Sequence, residues 1–290
     1  MPPNTETPRA VLITGCSTGI GLCTAQGLAQ RGYRVFATAR RDEDIATLSS
    51  IKGVEALHLE LRDPDSVAEV VSTVLERTEG RLYGLFNNGG YGQPGAVEDI
   101  SRDVLREQFE TLVFGWHDLT RAFIPCMREA GEGRIIQNSS VLGLVALPFR
   151  GAYNSAKFAI EGLTDTLRLE LHGSGVHISL VEPGPVLSAF RSNAMAAFQR
   201  NVTVEGSHFQ TQYEGMLARL ETKGPAAPGT LPPEAVLKQV IHALEAPRPK
   251  ARYYVTWPTY LFGYLRRILS TRALDRVLRK VSADELTRHR

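Results

Sequence analysis

Three cysteines, Cys16, Cys23 and Cys126, are all that the 290 residues contain. The count is odd and no C-x-x-C spacing occurs. That argues against a disulfide framework and against a zinc site, and a reducing cytoplasm suits such a chain. No stretch reaches the roughly 18 uninterrupted apolar residues that a transmembrane helix needs. Met1 to Arg9 is polar and proline-rich and lacks the apolar core of a signal peptide. An excess of one charge is also missing: the formal net charge is +2, which gives no case for nucleic acid. No internal repeat or low-complexity tract is apparent. What is present is a globular mix, 43% hydrophobic and 22% charged, long enough for one large α/β domain or two small ones. The charge is unevenly placed. Residues 250–290 carry ten Lys/Arg against three Asp/Glu, a balance of +7, which leaves −5 for the remainder.

Apolar β-branched runs alternate with helical patterns. Strands are predicted at Ala10–Thr14, Tyr33–Thr38, Val54–His58, Leu82–Phe86, Arg134–Ser139, Val176–Val181 and Arg252–Thr256. Helices are predicted over Ile20–Gln30, Asp42–Ser50, a segment opening at Asp63-Pro64 with Asp as N-cap and Pro at N1, Ser101–Arg128, Tyr153–His172 and a late helix from Pro232-Pro233. Regular βα alternation means a single doubly wound domain, a parallel and seven-stranded sheet with helices on both faces. Pro185 to Leu231 carries no clear element. A loop of that length reads as a lid, or as a disordered insertion.

Two local patterns carry chemistry. Tyr153 and Lys157 stand four apart in a predicted helix, so phenol and ammonium share a face. The ammonium favours phenolate and is expected to lower the tyrosine from its usual value near 10, making it a usable general acid or base. Alone, such a pair is more often part of a solvated helix face. Thr14-Gly-Cys-Ser-Thr-Gly-Ile-Gly21 follows the first strand and opens the first helix, a context in which glycines let a pyrophosphate approach the helix N-terminus. At the end of the second strand lie Arg40 and Arg41, where an NAD site has an acid. A guanidinium there suits the 2′-phosphate of NADP; the alternative is a basic loop with Asp42 as ribose ligand or helix cap.

With these pieces in one order, the chain resembles the short-chain dehydrogenase/reductase family over about residues 9–256. The resemblance rests on Thr14–Gly21, Asn87-Asn88-Gly89-Gly90, Ser140, Tyr153/Lys157 and Pro183-Gly184. Within the family it is similar to the 17β-hydroxysteroid and retinol dehydrogenase branch, and closer still to bacterial NADP-dependent aldehyde reductases. Val11–Cys16, Gly84–Asn88, Gly131–Ile135, Arg150–Asn154 and Glu182–Pro185 support that. The resemblance implies a catalytic set of Ser140, Tyr153 and Lys157. It implies an NADP site lined by Gly15, Ser17, Thr18, Gly19, Ile20, Arg40, Leu61, Asn88, Gly89, Lys157, Pro183, Gly184, Val186 and Ser188, no metal, and a homodimer or homotetramer. Leu142, Leu147, Phe149 and Phe190 would wall an apolar pocket for aldehydes, with retinoids or steroids as further substrates.

The chain departs from the family at three places. Leu112 stands where the family has an Asn that completes a proton relay. Gly89 replaces an Ala, and Glu60 an Asp near the adenine. Leu112 leaves a second reading open, an NADP-binding redox sensor or subunit partner with little turnover. The domain plan is therefore a flexible tail over 1–8, a catalytic domain over 9–256 with a lid at 185–231, and a basic amphipathic helical tail over 257–290. The tail's apolar positions, Leu274, Val277, Leu278 and Val281, are interleaved with arginines. Such a helix packs on its own domain or a partner subunit, covers a pocket, or makes peripheral membrane contact from the cytoplasm.

Overall fold

A computed structural model describes residues 8–222, 224–225 and 227–286, with the side chains of 284–286 excluded. Most of the expected flexible tail, residues 1–7, lies outside the described residues. Seven strands form one parallel sheet in the order β3-β2-β1-β4-β5-β6-β7, as expected. They are β1 Ala10–Ile13, β2 Arg34–Ala39, β3 Val54–His58, β4 Leu82–Asn87, β5 Gly133–Asn138, β6 Val176–Glu182 and β7 Arg252–Tyr254. The helices of the layers are α1 Gly19–Gln30, α2 Asp42–Ser49, α3 Pro64–Arg77, α4 Arg102–Phe109, α5 Gly115–Glu129 and α6 Gly151–Glu170. They are followed by α7 Phe190–Asn201, α8 Gln210–Glu221, α9 Glu234–Glu245, α10 Trp257–Ile268 and α11 Thr271–Leu286. Asp63 caps α3 as its sequence predicts: its carboxylate accepts from Asp65 N at 3.0 Å, with Pro64 at N1.

One sheet face is buried under α3, α5 and α6 through Val70, Val74, Trp116, Phe123 and Ile160. The other is buried under α1, α2 and α9 through Leu28, Leu48, Val236 and Val240. Strands covered on both faces read as continuous apolar runs, which is why β1 and β4 stand out in the sequence. The order reverses between β1 and β4, and in sheets of this kind ligands bind beyond the carboxyl ends of the strands at such a reversal.

Two expectations need correction. The unassigned stretch 185–231 holds two helices, α7 and α8, joined at its base by a bridge between Val186 and Leu231. Phe198, Val202, Tyr213 and Met216 close a small core there with Ala96, Phe149 and Phe209. The segment is therefore a packed cap rather than an open loop. The tail is two helices rather than one, broken at Leu269-Ser270. Its inner stripe, Phe262, Leu265, Leu274, Val277 and Leu278, packs on Val141, Val145 and Leu147, so it does cover its own domain.

Candidate active site

The turn after β1 is built by exclusion. Gly15 has φ +69, and a Cβ on it would overlap the backbone of Gly89. A Cβ on Gly21 would overlap the Gly15 carbonyl. Thr14 ties this turn to the end of β4: its Oγ1 accepts from Asn88 N at 2.9 Å and Gly89 N at 2.8 Å. Asn88 answers by donating from Nδ2 to the carbonyls of Thr14 and Gly15, at 2.9 and 3.1 Å. Thr18 starts α1 with no side-chain cap, and no acid occupies the first turn. The helix N-terminus thus keeps its N–H groups and positive dipole end for an anion. Ser17 and Ile20 flank it, and Ser188 lies against Gly19. Leu61 is buried after β3 against Gly89 and Gly115. Pro183 and Gly184 follow β6; the Pro183 carbonyl accepts from Val141 N at 2.8 Å, and Gly184 packs on Thr256. Val186 packs beside α1 and α9 residues on the second sheet face. These residues fit a dinucleotide: backbone is exposed where phosphate would lie, and side chains are excluded where it must approach.

The two arginines after β2 behave differently. Arg40 is 66% exposed in its side chain at the rim, with Nη1 3.7 Å from Glu60. Arg41, expected to share its role, is folded onto its own helix: Nε and Nη2 donate to Asp44 at 2.8 and 3.0 Å. Only Arg40 stays available. Glu60 is held mainly by Arg62, whose Nη2 and Nε donate to it at 3.1 and 3.2 Å.

Ser140, Tyr153 and Lys157 meet at the end of β5 and on α6. All three are buried. The Ser140 hydroxyl accepts from Leu142 N at 3.1 Å and is the group that opposes burial at the Tyr153 phenol. Lys157 Nζ donates to the Asn138 carbonyl at 2.6 Å and lies 4.4 Å from the Trp116 ring centroid. Asn138 Nδ2 in turn donates to Asn88 Oδ1 at 2.8 Å, so one residue joins the lysine to the glycine turn. The expectation that Lys157 lowers Tyr153 is overturned. Burial pushes the phenol well above its usual range, opposed only by the Ser140 hydroxyl, while burial pulls Lys157 down to about 7, opposed by the Glu161 carboxylate. Desolvation outweighs the pairing because both groups are buried, with the ammonium 5.4 Å from the Tyr153 ring centroid and against the Trp116 face.

Behind this set lies a cluster that sequence reasoning missed. Arg252 on β7 donates to Glu161 on α6, to Glu182 at the end of β6 at 2.6 Å and to Asp165 at 2.6 Å. Ser139 donates to the other oxygen of Glu161. Burial and the facing Glu161 carboxylate push Glu182 up to about 8, against the downward pull of Arg252. Arg252 sat inside a predicted strand, but nothing local announced partners 70 and 91 residues away.

At the position of the expected relay Asn, Leu112 is buried at the centre of a π-turn, Glu110–Phe114, that joins α4 to α5. Its Cδ2 occupies the space a Cβ on Gly90 would need. Thr111 Oγ1 donates to Glu107 O at 3.0 Å within its own helix. Of the expected pocket residues, Phe190 stands edge-on to the Tyr153 ring at 5.4 Å. Leu142 packs beside Ser140 on the sheet core. Phe149 turns into the cap, and Leu147 into the tail cluster.

A family model described as short chain dehydrogenase matches residues 9–198. The chain is 40% identical over 270 residues to an uncharacterized oxidoreductase, YbbO, of Escherichia coli K12, covering 93% of this chain and 94% of that one. It is 35% identical over 261 residues to human 17-beta-hydroxysteroid dehydrogenase type 1, covering 85% and 77%. In fold it matches a Burkholderia cenocepacia short chain dehydrogenase in complex with NADP, with a TM-score of 0.72, 22% identity and coverage of 93% and 97%. The same fold has also been solved with NAD. This chain belongs to the short-chain dehydrogenase/reductase family of oxidoreductases, whose cofactor is a nicotinamide dinucleotide.

Proposed function

We propose that this chain moves hydride between NADP(H) and an apolar carbonyl or alcohol, and acts as an aldehyde reductase that also has room for retinoid- or steroid-like substrates. The observation that carries this is the burial of Ser140, Tyr153 and Lys157 together, with Lys157 tied through Asn138 to the glycine turn. When bound, the cofactor supplies the hydride. The residues do the rest. Tyr153, held protonated by burial, gives its proton to the carbonyl oxygen as negative charge develops there. Ser140 donates a second hydrogen bond to that oxygen. Lys157, in its charged form, stabilises the phenolate left behind and holds the ribose. Phe190 shields Tyr153 from water, and its ring favours an apolar partner.

Arg40 supports NADP over NAD, being the one exposed guanidinium after β2 not folded onto its own helix. The exposed Phe158, Leu163 and Leu169 on α6 support pairing of copies through that helix, as homodimer or homotetramer. Among the described residues no helix is long and apolar enough to cross a membrane. The test is consumption of NADPH with an apolar aldehyde, lost in Tyr153→Phe while NADPH still binds. Binding without turnover in the parent chain would favour the sensor reading, which rests on Leu112 alone.

A further inference from the structure

The tail carries two apolar stripes where a packed helix needs one. On α10, Pro258, Thr259, Phe262 and Gly263 are buried against the domain. On the opposite side, Trp257, Tyr260, Leu261, Tyr264 and Ile268 are 57, 47, 42, 60 and 74% exposed. Their spacing (i, i+3, i+4, i+7, i+11) places them on one helix face. Exposed cations accompany that face: Arg267 lies toward it at the end of α10, and Arg272, Arg276, Arg279 and Lys280 follow on α11, while Arg266 turns the other way, over the Phe158 ring of α6. Among the described residues none of them has an ion-pair partner, and residues 250–283 contain a single acid, Asp275. A cavity of about 240 Å³ opens beside the stripe, lined in part by Lys250, Tyr254, Tyr260, Tyr264 and Arg267.

We propose that this face docks on an anionic lipid bilayer, with the α10 stripe entering the interface and the surrounding cations meeting lipid phosphates. Trp and Tyr with short aliphatics are the side chains that settle at headgroup level, and Lys/Arg stems reach along an apolar surface while their heads stay with phosphate. Charge chooses this occupant over a second copy of the chain. Two-fold pairing of the stripe would bring like-charged arginine borders together, whereas an anionic surface complements them. The consequence for catalysis rests on the reaction proposed above. The inner side of the tail packs on Val141, Val145 and Leu147, the loop between Ser140 and Tyr153, and α11 packs on cap helix α8. A bilayer-dissolved carbonyl would then enter close to Tyr153 without crossing bulk water.

The chain's tryptophans make the test direct. Trp116 is 2% exposed and Trp257 is 57% exposed, so lipid contact reads on Trp257. The full-length protein is mixed with phosphatidylglycerol/phosphatidylcholine vesicles carrying brominated acyl chains, and with phosphatidylcholine vesicles alone. Sedimentation with the anionic vesicles and quenching of Trp257 are expected at about 0.01 M salt, with release at about 1 M, where screening shortens to about 3 Å. Arg267→Glu/Arg272→Glu should weaken vesicle binding at least tenfold while turnover of a small water-soluble aldehyde and the oligomeric mass stay unchanged. Absence of sedimentation at low salt would overturn the proposal, as would binding indifferent to lipid charge or binding without Trp257 quenching. A Tyr264→Ser/Ile268→Ser variant that lowers oligomeric mass would assign the face to a second copy instead.

Discussion

The cofactor side and the substrate side of this molecule are held by different kinds of constraint. Around the glycine turn, backbone meets backbone: Gly15 on Gly89, Gly21 on the Gly15 carbonyl. Backbone cannot rotate away, so one methyl group is enough to break the arrangement. Around the cap, side chain meets side chain. Phe198 and Phe149 stand edge-on to Tyr213 at 5.0 and 5.8 Å, and Phe149 meets Phe209 at 5.3 Å. Such a cluster tolerates volume-conserving exchange. The first region is thereby fixed to one ligand chemistry, and the second can be reshaped for different substrates without disturbing the first. Tyr153 stands at the seam, with Ser140 on one side and Phe190 on the other.

The largest effect is expected at that seam. Tyr153→Phe should lower turnover by about 10²–10⁴-fold, the usual contribution of a positioned general acid, with NADPH affinity kept within about twofold. Next comes the cluster that joins β7 to α6. Arg252→Ala leaves Glu161 and Glu182 buried without their cation and should cost about 3–5 kcal/mol in chemical denaturation. Gly15→Ala should weaken NADPH binding by tenfold or more in a fluorescence titration, whereas Phe198→Leu in the cap should cost less than about 1.5 kcal/mol and leave cofactor binding intact. If the two behave alike, the contrast between the regions fails. Arg40→Glu should remove about 1.5–3 kcal/mol of NADP binding, tenfold or more, and narrow or invert the preference over NAD. The smallest effect is expected from Leu112→Asn. Turnover should stay level or rise while stability falls by about 1–3 kcal/mol, since the new amide is buried; a large loss of turnover would contradict it.

The pH profile follows from Lys157. Its ammonium is drawn down to about 7, so the charged form that steadies the phenolate is present below that pH and lost above it. In the reducing direction, kcat/KM for the cofactor should fall as pH rises through about 7. Glu161→Gln removes the carboxylate that holds Lys157 up and should move that fall to lower pH. A Lys157→Met variant that retained the same limb would assign it to another group.

Much of the frame was legible because it is local. Buried strands are short apolar runs, the glycine turn sits between a strand and a helix, and Tyr153 and Lys157 share a face at helical spacing. Arg41 was misread because its competition with Asp44, three residues on, decides where a guanidinium points. Helix α7 was readable in principle from the alanines and methionine of Phe190–Asn201, all good helix formers, but the glycines and prolines around it hid the pattern. The break at Leu269-Ser270 could have been seen in the Ser-Thr that opens α11. Asn138 and the Arg252 cluster were not legible, because their partners come from other strands and helices. The shift of Tyr153 was misjudged because burial is a property of the whole fold, whereas the Lys157 spacing is a property of one helix.

NADPH oxidation followed against aldehydes and ketones of increasing apolar chain length, with NADH in parallel and Tyr153→Phe as control, decides whether the Ser140, Tyr153 and Lys157 set reduces an apolar carbonyl. An NADP-dependent reductase gives turnover with NADPH that rises with chain length, weaker turnover with NADH and none in the variant. NADPH bound tightly but never oxidised, or turnover that survives Tyr153→Phe, would contradict it.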